Sequence, residues 1–387
     1  MKIGFFTDTY LPASRGIDVS VETFRESLEK MGHQVYVYAQ RVPGYKDENP
    51  NVFRFTSVRL VKEPAMRFVF PIFPWPEFKK AMGQKLDIVH IHTPFSVGFL
   101  GRYIAKKQKI PLVYTHHARY PSHAKLYFKE KYVLPYLAKS LCGWFANSAN
   151  SVIAPSSKIK EELRTYYNVR ESIPIYVILT SVDLNKFKQS LENRKKLRKD
   201  LNIDFLSKVL LFVGSINAAK NSEFLFDVAS EIIKMRKDTY LIMAGDGELK
   251  KELSEKAKKL KLDKYIKLVG SVPHEKIPQY YQSADLFLFT SLTDTQGIVL
   301  LEAMATGIPV ICLKDDAFDG VVIDGKNGYV ISKPSIKLFA QKINQLLDSP
   351  DLFKQFSLDA RQTALKFSRE NETEKIVNIY KKVINQP

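Results

Sequence analysis

Residues 284–311 read ADLFLFTSLTDTQGIVLLEAMATGIPVI. An apolar strand, ADLFLFTS, runs into a polar loop, and a helix follows that closes at Gly307. Pro309 then opens another apolar run. Strand, loop, helix and strand in so short a span are the trace of a β-α-β unit, and so of a parallel sheet. The loop sets Asp294 ahead of the helix start and Glu302 inside the helix, with Gly297 between them. The backbone N–H groups of Gly297 and Ile298 begin the helix and present a positive end to an anion. Asp294 can accept from sugar hydroxyls, and Glu302, a little over one turn on, can pair with a vicinal diol. The plainer alternative is an N-cap and an ordinary helix-face glutamate.

The same alternation extends both ways. In the first half the strand candidates are IGFFTD, QVYVYAQ, VFRFT, LDIVHIH, LVYTH and SVIAPS. Between them lie helical patterns such as VSVETFRESLEKMG, in which Val21, Phe24 and Leu28 recur at helical spacing and Gly32 supplies the stop. The second half starts again with VLLFVGS, then YLIMAGD, YIKLVGS, ADLFLFTS and IPVICL. Two tandem doubly wound sheets are expected. A domain of residues 1–182 would precede one of residues 183–367, with a helix over 368–387 packing back on the first. The charged stretch QSLENRKKLRKDLNI lies at the junction, and Met66–Pro76, aromatic and proline-rich, is unsuited to a regular strand or helix interior. Ligands of open α/β sheets bind off the carboxyl ends of the strands, which selects the loops after these runs.

Bulk properties agree. At 387 residues, 45% hydrophobic and 26% charged, the chain has the size and composition of a two-domain globular protein. Cys142 and Cys312 stand alone in apolar contexts, with neither disulfide nor zinc spacing, as in a reducing compartment. The opening MKIGFFTDTYLP reads as a core strand rather than a leader. No stretch reaches the ~18 apolar residues of a spanning helix. The net charge is +18, concentrated so that residues 51–150 hold 16 Lys and Arg against 4 Asp and Glu. Such a local field attracts a polyanionic surface, anionic lipid or nucleic acid. No nucleic-acid recognition motif accompanies it.

Several short motifs bear on chemistry. Gly16 follows the first strand and precedes a helix, a fit for phosphate, yet no GxGxxG occurs to argue for a dinucleotide. In FVGSINAAKN, Lys220 lies at what reads as a helix start, a poor place for a cation unless an anion comes too. His90, His92, His116, His117 and His123 cluster in the first half; packed or substrate-facing histidines fit them better than a metal site. No D-x-D triplet occurs, so a metal clamp is not expected. Phe70, Phe73 and Trp75, then Lys125, Tyr127 and Lys129 within KLYFKEKYVL, mix aromatics and cations as an interfacial segment does.

The stretches IGFFTDTYLPASRGIDVSV, HIHTPFSVG, VYTHHARY, VIAPSSKIKEEL, AGDGELKKEL, VGSVPHEKIPQYYQSADLFLFTS and SLTDTQGIVLLEAMATGIPVI together resemble retaining glycosyltransferases of family 4. Seven residues separate Asp294 from Glu302, as in that family's E-x7-E region. The run from His90 to Tyr120, with DTQG, is most similar to bacterial enzymes that glucosylate diacylglycerol from UDP-glucose. The resemblance implies a GT-B fold and a UDP-sugar donor, with no tightly bound cofactor and no metal required. Glu302 would hold the ribose, and Asp294 with the amides from Thr295 to Ile298 the sugar and diphosphate. Gly16 and Lys220 would approach the diphosphate, Val272 the uracil, and His117 the sugar. The family's usual arginine and glutamate are replaced by Ser215 and Ala219, and Ser181 stands for a hinge glycine. The expected activity is transfer of glucose to a diacylglycerol-type lipid on the inner membrane face, by a cytoplasmic, peripheral enzyme. The alternatives are another acceptor (a soluble sugar, polysaccharide or phosphatidylinositol) and a nucleotide-sugar binder of low turnover.

Overall fold

The computed structural model describes residues 1–12, 16–59, 67–69, 76–122, 133–291 and 293–386. They fall into two compact units, Met1–Thr180 with Arg369–Pro387, and Ser181–Ser368.

Strands of the first unit are β1 (Lys2–Phe6), β2 (Gln34–Gln40), β3 (Val52–Phe55), β4 (Ser57–Arg59), β5 (Arg67–Val69), β6 (Ile88–Ile91), β7 (Leu112–Thr115), β8 (Ser151–Ala154) and β9 (Ile175–Val177). Seven of them form one parallel sheet in the order β3-β2-β1-β6-β7-β8-β9. Side chains alternate across a strand, so Phe5 and Phe6 enter different cores. Phe6 packs with Tyr38, Ile91 and Tyr114; Phe5 packs with Val37, Ile88 and Val113. The latter face is covered by the helices Gly16–Lys30 and Arg369–Ile384, the last supplying Ile376, Ile379, Tyr380 and Val383 at helical spacing. Glu372 of that helix, fully buried, accepts from the Leu179 amide at 2.9 Å, which fixes the end of the first unit's chain.

In the second unit the strands are β10 (Lys208–Val213), β11 (Thr239–Ala244), β12 (Ile266–Gly270), β13 (Leu286–Phe289), β14 (Val310–Leu313) and β15 (Gly328–Ile331). They form a parallel sheet ordered β12-β11-β10-β13-β14-β15. The strand order reverses between β10 and β13, and the corresponding reversal in the first unit lies between β1 and β6. Crevices open at such switch points, on the carboxyl side.

Three details depart from the sequence reading. Within Met66–Pro76, Arg67–Val69 forms β5, pairing antiparallel with β4. Arg67 Nε donates to Ser57 Oγ of β4 at 2.8 Å, and the Val69 amide to Ser96 Oγ, outside the hairpin, at 3.0 Å, so side-chain bonds hold a run too short to signal itself. The charged junction segment forms a helix with a buried cation. Its helix Leu191–Asp200 sends Arg198, 1% exposed, to the Ser283 and Ser207 carbonyls and to Asp285, so a charge run that reads as solvated anchors the second unit. Finally, β15 (GYVI) was not among the strand candidates, because Gly328 leaves only three apolar residues to read.

Candidate functional site

The residues singled out in the second half lie on one edge of the second sheet. Ser215 follows β10 and is exposed, and half-buried Val272 follows β12. Asp294, Thr295 and Gln296 follow β13, and Gly297 caps the helix Ile298–Thr306 with φ 69°. Gly297 is the apt residue there, since a β-carbon would strain the backbone and meet Leu300 Cδ1 at 2.9 Å. Leu300 makes the first turn's bond to the Gly297 carbonyl at 2.9 Å, so the Ile298 and Val299 amides precede the ladder and present the helix's positive end.

Lys220 corrects an expectation. It does not start a helix: it ends the 3-10 turn Ala218–Lys220, and the helix Ser222–Met235 begins beyond Asn221. Asn217 Oδ1 accepts the Lys220 amide at 3.0 Å, and Asn221 turns in the left-handed region. Hydroxyls from the end of β13 fill the turn's carbonyls: Thr290 donates to Lys220 O at 2.9 Å and Thr293 to Ala219 O at 3.1 Å. The anion that makes the site tolerable for a cation is Asp294. Lys220 Nζ lies 2.5 Å from Asp294 Oδ1, while Asp294 Oδ2 is buried with no hydrogen-bond partner among the described residues. This ion pair bridges the loops after β10 and β13, across the switch point.

The loop after β11 supports the turn from beneath. The Ile216 amide donates to the Asp246 carbonyl at 2.9 Å and the Leu249 amide to the Ile216 carbonyl at 3.1 Å. A β-carbon on Gly245 (φ 155°) would stand 1.8 Å from the Gly214 carbonyl oxygen. Gly245→Ala should therefore cost about 1–3 kcal/mol through strain and displacement of the turn. Denaturant unfolding measures this, and an unchanged midpoint would mean that the two loops do not meet as described.

Glu302 is 7% exposed, and its Oε2 accepts from the Tyr281 hydroxyl at 2.7 Å. Burial pushes its carboxyl up to about 7, against the lowering effect of that bond. The carboxyl is thus kept out of water rather than set on a solvated helix face.

The first unit's singled-out residues also follow the carboxyl ends of strands. Gly16 opens its helix and is exposed, with nothing within 4 Å of where a β-carbon would stand. His117 follows β7 and is 9% exposed; its Nε2 lies 3.0 Å from His92 Nδ1 with the rings stacked. His90 bonds Tyr380 at 2.5 Å and Thr115 at 2.6 Å, and His116 bonds the Tyr114 hydroxyl at 2.9 Å. Burial pushes His116 and His117 down to about 3, so both are neutral imidazoles. Among the described residues no three His, Cys, Asp or Glu gather as a metal site. Phe70, Phe73, Trp75, Lys125, Tyr127 and Lys129, like His123, lie outside the described residues.

Sequence reading missed Tyr281, Asn217, Thr290 and Thr293. Their only trace was position, just before or after an apolar strand. It also missed Asp8, which is buried after β1. Asp8 accepts from Thr93 Oγ1 at 2.7 Å, from Ser96, and from the Val97 amide at 2.9 Å, joining the loops across the first unit's switch point.

Two parallel sheets with crossover helices place an acid-flanked helix start at a switch point, where open α/β sheets bind their ligands. Residues 14–186 match the model described as Glycosyltransferase Family 4, and residues 193–363 the one described as Glycosyl transferases group 1. The chain belongs to the family 4 glycosyltransferases and has their GT-B fold. It is 31% identical over 397 residues to the alpha-monoglucosyldiacylglycerol synthase of Acholeplasma laidlawii, covering 100% of this chain and 98% of the relative. The enzyme of the same name from Streptococcus pneumoniae is also 31% identical, covering 84% of this chain and 74% of the relative. Among solved structures, Anabaena HepE in complex with UDP superposes with a TM-score of 0.77 at 20% identity, covering 99% of this chain and 100% of that one. At that identity the likeness shows the fold alone.

Proposed function

We propose that this glycosyltransferase moves glucose from UDP-glucose to a diacylglycerol-type lipid at a membrane surface, with retention at the anomeric carbon. The observation that carries the reading is the Lys220–Asp294 pair across the switch point, beside the helix start at Ile298 and the buried Glu302. A nucleoside diphosphate sugar offers each of these a partner. The ribose diol suits Glu302, and the diphosphate suits the Ile298 and Val299 amides and the Lys220 ammonium. The sugar hydroxyls suit Asp294. Two relatives covered over most of their length are named for diacylglycerol glucosylation, which supports the acceptor.

In the reaction the bond from the anomeric carbon to the diphosphate oxygen breaks as a bond to the acceptor hydroxyl oxygen forms on the same face. The acceptor's proton passes to the departing diphosphate. Lys220 and the helix start neutralise the charge that builds on the leaving group, in a site that needs no metal.

A surface of the first unit supports the membrane. The helix Val133–Asn147 exposes Val133, Tyr136, Leu137 and Trp144, and the neighbouring helix Ser96–Gln108 exposes Phe99 and Tyr103. Arg102 lies over the Trp144 ring at 4.4 Å and Lys139 over Tyr166 at 4.5 Å. Apolar side chains fringed by cations suit an interface of acyl chains and anionic headgroups. No helix among the described residues is long and apolar enough to cross a membrane.

Nucleotide release from UDP-glucose, UDP-galactose and GDP-mannose, with and without anionic vesicles containing diacylglycerol, tests the reading. Release should be fastest from UDP-glucose and should depend on the vesicles. Preference for GDP-mannose, or equal rates with a soluble sugar and no vesicles, would refute it.

A further inference from the structure

Tyr281 carries no assigned role, yet among the described residues it is the one side chain that bonds the Glu302 carboxyl. It is fully buried in the helix Ile277–Ser283, its ring packed against Phe187 (5.5 Å between centroids) and Phe287 of β13 (5.6 Å). The next residue, Gln282, is held by the Lys188 carbonyl at 2.6 Å and by Asn193 at 2.7 Å, so the backbone that carries Tyr281 is fixed as well. A phenol so placed has little freedom, and burial with the neighbouring carboxyl keeps it protonated well above its usual range. It is therefore a permanent donor. Glu302 Oε2 must accept from it, and any proton Glu302 carries sits on Oε1. Oε1 itself has no hydrogen-bond partner among the described residues and is not sealed from solvent.

We infer that Tyr281 is a positioning residue for the nucleoside: by pinning Oε2, it holds the Glu302 carboxyl with Oε1 turned to the ligand's 2′,3′-diol. The inference rests on Glu302 as the ribose ligand. Without the phenol, the carboxyl can rotate about its last torsion, and Oε2 is left buried without a partner. Recognition of the diol should suffer while contacts to diphosphate and base persist.

Calorimetric titration at pH 8 with UDP and with 2′-deoxy-UDP separates the possibilities, using the full chain as wild type, Tyr281→Phe, Glu302→Gln and the double variant. Wild type should favour UDP by about 10-fold, the worth of one charge-assisted hydrogen bond. Both single variants should lose most of that preference by weakening UDP alone. In the double variant, Tyr281→Phe should have no further effect, because its influence passes through Glu302. A preference that survives Glu302→Gln overturns the ribose assignment and the inference with it. A preference lost in Glu302→Gln but intact in Tyr281→Phe overturns the inference alone. If Tyr281→Phe weakens both nucleotides equally, in either background, Tyr281 serves general packing and the inference is wrong.

Discussion

Replacing Lys220 by Ala should slow glucose transfer by on the order of 100–1,000-fold, the loss typical when one preorganised partner of a developing negative charge is removed. In this chain the effect should be large because the family's second cation is absent, Ser215 standing in its place. Lys220 also has a structural duty. It neutralises Asp294, whose Oδ2 already lacks a partner among the described residues, so the single variant leaves a largely buried carboxylate without its ion pair. The two duties separate in the pair Lys220→Ala with Asp294→Asn. Unfolding should show stability lost in the single variant and regained in the double one, while turnover of the double variant stays far below that of Asp294→Asn alone. Turnover of the double variant equal to that of Asp294→Asn alone would make Lys220 a structural cation only.

Glu302→Gln should stabilise the ligand-free protein at pH 8, and much less at pH 5. The sign follows from the direction of the shift. Burial raises the folded carboxyl to about 7, above its ordinary 4.5, so its contribution to stability is full below pH 4.5 and is lost as pH rises to about 7. Above that, the wild type carries an ionised carboxylate in a buried place. The shift corresponds to about 3 kcal/mol between those limits. Gln has the same shape, keeps a carbonyl for the Tyr281 hydroxyl and does not titrate. The difference in unfolding free energy between variant and wild type should therefore grow by about 2.5 kcal/mol from pH 5 to pH 8. A difference that does not vary with pH would mean that Glu302 is not held as described. Stability gained as nucleotide binding falls is what a residue kept for a ligand should show.

Both sheets were legible in the sequence because their central strands are apolar runs set between longer amphipathic stretches, whereas the edge strand β15, opened by Gly328, was not. The Asp294–Glu302 loop was legible because Gly297 and Gly307 mark its helix at both ends. Harder to read were features made by distant side chains. The Lys220–Asp294 contact spans separate β-α units, so the sequence showed a cation at an awkward position without showing its anion. Tyr281 is one of two adjacent tyrosines, and nothing local says which of them faces Glu302. Arg198 sat in a charged run that reads as solvated, and its burial follows only from the Ser283 and Asp285 partners far along the chain. The hairpin of β4 and β5 depends on bonds from Ser57 and Ser96, which periodicity does not report. Local pattern marks elements, whereas pairing across the sheet edge sets the chemistry.

The central claim, that this edge grips UDP-glucose for transfer to a lipid, is most directly tested with UDP-glucose radiolabelled in the sugar. The protein is incubated with it and anionic vesicles containing diacylglycerol, and the lipids are extracted. Label should enter a monoglucosyl lipid in the wild type, and far less of it in Lys220→Ala. Lipid that remains unlabelled while the same protein passes label to a water-soluble acceptor, or consumes no UDP-glucose at all, would contradict the claim.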